Sequence, residues 1–213
     1  MTTIIDYGIG NLRSLAKAFA AAGVEVERTD DPGRIEDAER LVLPGVGAFG
    51  ACADEIRARG LWDVVLDRAH AGVPLFGVCV GMQLLFESSS EGVGDVPGLG
   101  LLPGHVVRFP ADLEVDGRRL KVPHMGWNEL VGRDAHAVLP PTDNAWAYFV
   151  HSYHAAPADA ATVLATVDYG IDVPAVVGRD NVVGAQFHPE KSGRVGLEML
   201  RRFAAWSPSP VSV

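Results

Sequence analysis

A cysteine with glycine two positions away on either side, at the end of a short apolar run, carries the clearest chemical meaning in this chain. The segment reads Leu75-Phe76-Gly77-Val78-Cys79-Val80-Gly81-Met82-Gln83. Strand, tight turn and helix follow one another, in a cysteine version of the Gly-x-Ser-x-Gly nucleophile elbow. Glycines at 77 and 81 let strand and helix approach closely while residue 79 takes a strained conformation and presents its thiol over the sheet edge. The helix start expected behind the thiol favours negative charge there. The Val80 N–H is placed to donate to a developing oxyanion. Cys52 lies inside the helical pattern Phe49–Arg59 and reads as a buried structural thiol.

A thiol nucleophile needs a base, and the base needs a third group to hold it. Gln186-Phe187-His188-Pro189-Glu190 follows the strand-like run Val182–Ala185. Proline pushes the residue before it towards extended backbone, where residues two apart point to the same side. The His188 ring and the Glu190 carboxylate are therefore expected side by side, one ring nitrogen bound to the carboxylate and the other facing the thiol. His70, His105, His124, His136, His151 and His154 lack that neighbour pattern. Most read as surface or structural, without metal-ligand spacing, and no metal or other cofactor is expected.

The elements that must position these groups alternate along the first half. Strands are expected at Thr2–Asp6, Val24–Thr29, Arg40–Leu43 and Pro74–Val78. Helices are expected from an Asn11 cap to about Ala22, over Phe49–Arg59 and over Leu61–Ala71. Such alternation predicts an α/β fold, a mostly parallel central sheet with helices on both faces. Ligands gather beyond the carboxyl ends of such strands, where Gly8-Ile9-Gly10, Gly45-Val46-Gly47 and Gly77–Gly81 fall. The second half predicts additional antiparallel strands: His105–Phe109, Leu113–Val115, Leu120–Val122, Ala147–His151, Thr162–Val167, Ala175–Gly178 and Val182–Phe187. Asp116-Gly117 reads as a hairpin turn. Ser88–Gly104 reads as a loop, and an amphipathic helix over Arg194–Trp206 closes the chain. One domain is expected over residues 1–206, with 207–213 as a flexible tail.

Bulk properties narrow the function. In 213 residues, 18 Lys and Arg stand against 27 Asp and Glu, a formal charge of −9. An acidic chain repels phosphate backbones, and Arg118-Arg119 with Lys121 is too small a basic spot to offset that, so nucleic acid is not expected as a partner. The start lacks a basic n-region and a long apolar segment, and no apolar run reaches spanning length. A cytoplasmic protein with free thiols and no membrane contact is the expectation.

Three segments together resemble the class I (triad) glutamine amidotransferases, whose fold is of flavodoxin-like type: Gly77–Gln83, His188-Pro189-Glu190 and Pro44-Gly45-Val46-Gly47. Asp6–Ser14, Pro123-His124-Met125-Gly126-Trp127-Asn128, Tyr148–Tyr153 and Gln186–Ser192 are similar to one branch, the glutaminase subunits of imidazole glycerol phosphate synthases in histidine biosynthesis. The likeness spans nearly the whole chain. Val80 stands where leucine is common in the family, a change that keeps the backbone donor. The resemblance implies that Cys79 attacks the side-chain amide of L-glutamine, that ammonia leaves, and that water clears the thioester. It implies a heterodimer with a (β/α)₈-barrel cyclase subunit that receives the ammonia. It also implies Val46 as a second oxyanion donor beside Val80, after a peptide flip between Gly45 and Val46. Gly47, Gln83, His151, Ser152 and Tyr153 would line the glutamine pocket, and Trp127 and Lys191 would border the interface and ammonia path. Rival readings are another amidotransferase branch, a stand-alone cysteine hydrolase, and a non-catalytic binding subunit.

Overall fold

The computed structural model describes residues 1–115 and 117–208. Asp116 of the expected hairpin turn and residues 209–213 of the expected tail lie outside the described residues. The first half runs β1 (Thr2–Ile5), α1 (Leu12–Ala21), β2 (Val26–Thr29), α2 (Pro32–Glu36), β3 (Arg40–Gly45) and α3 (Phe49–Ala58). It continues with α4 (Trp62–His70), β4 (Leu75–Cys79) and α5 (Val80–Gln83).

Strands then follow in succession: β5 (Phe86–Ser89), β6 (Val96–Pro97), β7 (Leu102–Arg108), β8 (Glu114–Val115), β9 (Arg118–Arg119), β10 (His124–Glu129), β11 (Val131–Gly132), β12 (Trp146–His151) and β13 (Tyr153–Pro157). The chain ends with β14 (Val163–Asp168), β15 (Asp172–Arg179), β16 (Val182–Ala185) and α6 (Gly193–Ala205).

Eight strands form the main sheet in the order β11-β14-β15-β16-β4-β3-β1-β2. From β2 to β16 all pairs are parallel; β15, β14 and β11 extend the sheet antiparallel. The parallel strands are buried on both faces, as helix-covered sheets require: every residue of β1, β4 and β16 is buried. Helix α1 turns Leu12, Leu15, Ala18 and Phe19 inward at helical spacing and stops where Gly23 takes φ 78°.

The expected α/β fold with added antiparallel strands is present; several boundaries differ. Helix α2 escapes the periodicity because it is five residues long, yet Asp31 caps it from Oδ1 to the Gly33 and Arg34 N–H groups and Pro32 starts it. Leu120–Val122 is not a strand, since Glu114–Val115 pairs with Arg118–Arg119. The expected loop Ser88–Gly104 instead contributes to a four-stranded sheet, β13-β7-β5-β6, anchored by fully buried Phe86, Leu102 and Val106. The expected helix after Cys79 is one turn, Val80–Gln83, because the chain leaves at once for β5 through fully buried Leu84, Leu85 and Phe86. A single turn supports a weaker dipole than the sequence pattern implied.

Candidate active site

Sheet order builds the site. Strand β4 has β3 on one side and β16 on the other, with Gly45 level with Cys79 and Ala185 level with Val78. Cys79 therefore emerges at the carboxyl edge between Val46, which follows β3, and Gln186, which follows β16. This is the crevice where open parallel sheets bind ligands.

Cys79 adopts φ 56°, ψ −112°, a left-handed conformation that a non-glycine residue holds only under constraint. The constraint is close packing. A Cβ on Gly81 would lie 1.9 Å from the Leu43 carbonyl oxygen, and one on Gly77 would lie 2.6 Å from the Gly81 oxygen. Backbone fills the space on both sides of the thiol-bearing residue.

The strand-to-loop exit at residue 186 brings His188 across to Cys79. His188 is extended (φ −96°, ψ 102°), but Pro189–Lys191 forms a 3₁₀ turn instead of the extended continuation expected. Proline fits the first position of such a turn, and the two side chains still meet: His188 Nδ1 lies 3.0 Å from Glu190 Oε1. The other ring nitrogen is left free on the side of Cys79, which lines the same cavity as His188. Burial disfavours charge on His188, but the Glu190 bond and the negative charges of Cys79 and Glu190 outweigh it and hold the imidazole up to about 9. Burial likewise opposes charge on Glu190, yet the His188 bond and charge, with help from Asn11, keep its carboxyl below the usual range.

A cavity of about 420 Å³ opens over this cluster. Cys79, Val80 and His188 line it with Val46, Gly47, Gln83, His151, Ser152, Tyr153 and Lys191. Glu190 lies behind His188, with only 2% of its side chain exposed. Trp127 is not at the cavity; it stands on β10, 54% exposed, with Tyr148 as its register partner.

A family model described as glutamine amidotransferase class-I matches residues 3–205. The chain belongs to the class I glutamine amidotransferase family. Two similar relatives are each named imidazole glycerol phosphate synthase subunit HisH. That of Salinibacter ruber is 56% identical, covering 96% of this chain and 94% of its own length. That of Aromatoleum aromaticum is 53% identical, covering 96% and 98%. A crystal structure of a glutamine amidotransferase superposes with a TM-score of 0.73 over 96% of this chain and 99% of that one. At 23% identity it speaks for the fold alone.

In this amidotransferase the structure adds residues that the sequence pattern did not single out. Glu91 lines the cavity and accepts the Phe49 N–H at Oε2, 2.8 Å away. Its signal is faint, one acid in a Ser/Gly-rich stretch. Ser192 pins the base-bearing turn to β12: its hydroxyl donates to the His188 carbonyl at 2.7 Å and accepts the Tyr148 N–H at 3.0 Å. Asn11 occupies the cap position of α1 but makes no capping bond. Its amide instead donates to Glu190 Oε1 at 3.2 Å, joining the turn after β1 to the triad. Cys52 donates its thiol to the Val46 carbonyl at 3.4 Å, as a buried structural cysteine would, and burial pushes that thiol up.

Proposed function

We propose that the chain is the glutaminase subunit of an imidazole glycerol phosphate synthase, working in the cytoplasm on L-glutamine and feeding ammonia to a (β/α)₈-barrel cyclase subunit in histidine biosynthesis. The observation that carries the chemistry is Cys79 on a left-handed elbow, facing one cavity with a His188 that Glu190 holds by Nδ1. The branch is carried by relatives 53–56% identical over nearly their full length that bear that name.

The steps follow from the geometry. The Cys79 sulfur, its proton already held by the His188 ring in the resting pair, attacks the carboxamide carbon of glutamine. The oxygen of the tetrahedral adduct takes up charge opposite the Val80 N–H and, after rotation of the Gly45–Val46 peptide, the Val46 N–H. The C–N bond breaks as His188 returns the proton to the departing nitrogen, releasing ammonia and leaving a glutamyl thioester. Water then attacks the thioester carbon, giving its proton to His188; the C–S bond breaks and glutamate leaves with Cys79 restored. Gly47, whose φ of 83° suits glycine, is the pivot on the far side of Val46.

Gln83 donates both amide hydrogens inside the protein, so its Oε1 is the atom turned to the substrate. Ser152 and Tyr153 form the opposite wall. Glu91 spends one oxygen on Phe49 and offers the other to the α-ammonium group of glutamine. Glu91→Gln keeps the Phe49 bond and removes the charge. A charge-assisted hydrogen bond contributes about 1.5–3 kcal/mol, so KM for glutamine is expected to rise roughly 10- to 100-fold with kcat nearly unchanged. Steady-state kinetics on the complex decide this; an unaltered KM removes Glu91 from the substrate site.

Partner docking is assigned to the β10 face. Met125 and Trp127, two apart on one strand, are 62% and 54% exposed. Beside them Lys191 holds its Nζ 5.4 Å over the Tyr148 ring, at the cavity wall. The functional test is glutamate release with and without a barrel subunit carrying its nucleotide ligand. The expected result is slow hydrolysis alone and a rate at least 100-fold higher in the liganded complex, on the scale of completing a preorganised oxyanion site, about 10²–10³. Full-rate turnover by the isolated chain would instead mark a stand-alone hydrolase.

A further inference from the structure

Two buried histidines outside the triad, His124 and His151, stand in contact on neighbouring strands, and nothing in the hydrolytic steps uses them. They are register partners on β10 and β12, 3% and 6% exposed. His124 Nδ1 lies 3.0 Å from His151 Nε2, and His151 Nδ1 lies 2.9 Å from the Tyr153 carbonyl oxygen. A carbonyl only accepts, so His151 carries its proton on Nδ1 and accepts at Nε2. His124 must then donate from Nδ1 and accept at Nε2, where the Asn128 amide approaches to 3.4 Å. That amide's second hydrogen goes to the Asp168 carbonyl at 2.8 Å. Every donor meets an acceptor in one direction only.

The chain continues to the nucleophile. The Tyr153 carbonyl also accepts from Gln83 Nε2 at 3.0 Å, and the same nitrogen donates to Gln186 Oε1 at 3.0 Å. Gln186 Nε2 in turn reaches 3.9 Å from the Cys79 sulfur. We propose that His124 and Asn128 are positioning residues for the glutaminase site: by locking His151 as the Nδ1–H tautomer they fix the Tyr153 carbonyl, and through it the Gln83 amide that faces the substrate. This rests on the assignment of Cys79 as nucleophile and of the adjoining cavity as the glutamine pocket.

Burial supports the neutral state the relay needs. It pushes His124 down to about 4 and His151 to about 3, the latter also lowered by the neighbouring histidines. Packing supports the orientation: the His124 ring stacks on Phe149 at 4.9 Å and lies 4.0 Å from Tyr169. His151 has no ring nitrogen left for a ligand, so its part in the pocket is to set the wall.

Ring ¹⁵N spectra of the unmodified chain at neutral pH are the direct test. Both residues are expected as neutral Nδ1–H tautomers; an imidazolium or an Nε2–H form at either overturns the relay. Kinetics of the complex supply the functional arm. His124→Phe keeps the ring between Phe149 and Tyr169 but removes the donor, and should raise KM for glutamine about tenfold with kcat within about threefold, the scale of one unsatisfied buried group. His124→Asn restores a donor near the Nδ1 position and should recover most of the loss. A purely structural His124 would lower the melting temperature and the active fraction while leaving KM untouched, and that result overturns the proposal. If Cys79→Ala were also fully active, the assignment of the nucleophile would fall with it; an inactive Cys79→Ala with unchanged KM in His124→Phe sinks the relay alone.

Discussion

Cys79→Ala is expected to cut glutamine hydrolysis by the complex roughly 10⁴-fold or more, with the fold intact, because no thioester forms without the sulfur. His188→Asn should fall by a similar factor, since the sulfur then lacks its proton acceptor and the leaving nitrogen its donor. The instructive variant is the double one. Groups that act as one unit are not additive, so Cys79→Ala with His188→Asn should be no worse than either alone. Glutamate release by the three variants checks this; losses that multiply would show that the two side chains act independently. The electrostatics add a pH signature. His188 is held up to about 9, so its ring keeps the proton that ammonia must take until the pH passes that value, and kcat/KM should fall above it. Glu190→Gln removes one of the groups that favour the charged ring, and the alkaline limb should move to lower pH. A limb that stays put would remove Glu190 as the orienting group. The stability linkage has the same sign: a raised histidine stabilises the fold fully below its ordinary 6.5 and loses that contribution as pH rises through about 9.

The parallel half of the fold was legible because its strands obey one rule. Buried on both faces, β3 and β4 carry the apolar runs Leu41-Val42-Leu43 and Leu75-Phe76, β1 ends on Ile4-Ile5, and glycine-containing turns follow each strand. The elbow at Cys79 and the His188-Pro189-Glu190 group were legible for a related reason: each is local, fixed within five residues. What escaped depends on distance. Strand β10, His-Met-Gly-Trp-Asn-Glu, inverts the usual alternation, with polar His124 buried and Met125 and Trp127 exposed. Apolar-in, polar-out reasoning does not recognise such a strand, and the His124–His151 pair lies across the β10–β12 register, 27 residues apart. Strand β13 escaped because only Ser152 separates it from β12, where the chain leaves one sheet for another. Asn11 matched a cap and proved to be a partner of Glu190, 179 residues away. Its side chain had two chemically equivalent uses, and only tertiary placement chose between them.

Gly81→Ala is expected to be among the most damaging small changes outside the reacting groups. The added methyl would sit 1.9 Å from the Leu43 oxygen and 2.8 Å from the Leu43 carbon, backbone atoms of β3 that cannot rotate away. Relief requires α5 to move off β3, and β3 is held by ladders on both sides, to β1 and to β4. Overpacking of this kind costs about 1–3 kcal/mol where flexible side chains give way and more where backbone must. Alanine recovers up to about 1 kcal/mol of helical preference, too little in a helix of one turn. A net loss of about 3 kcal/mol lowers the melting temperature by roughly 6–12 °C at this chain length. Activity should fall further than stability, because the displaced turn carries the Val80 N–H and sets the left-handed backbone of Cys79. A folded Gly81→Ala with normal kcat/KM would mean that close packing of α5 on β3 does not aim the thiol. Thermal melts separate that outcome from unfolding, and Gly23→Ala is the control: its site has φ 78° with nothing within 4 Å of the added methyl, so backbone strain alone is tested there.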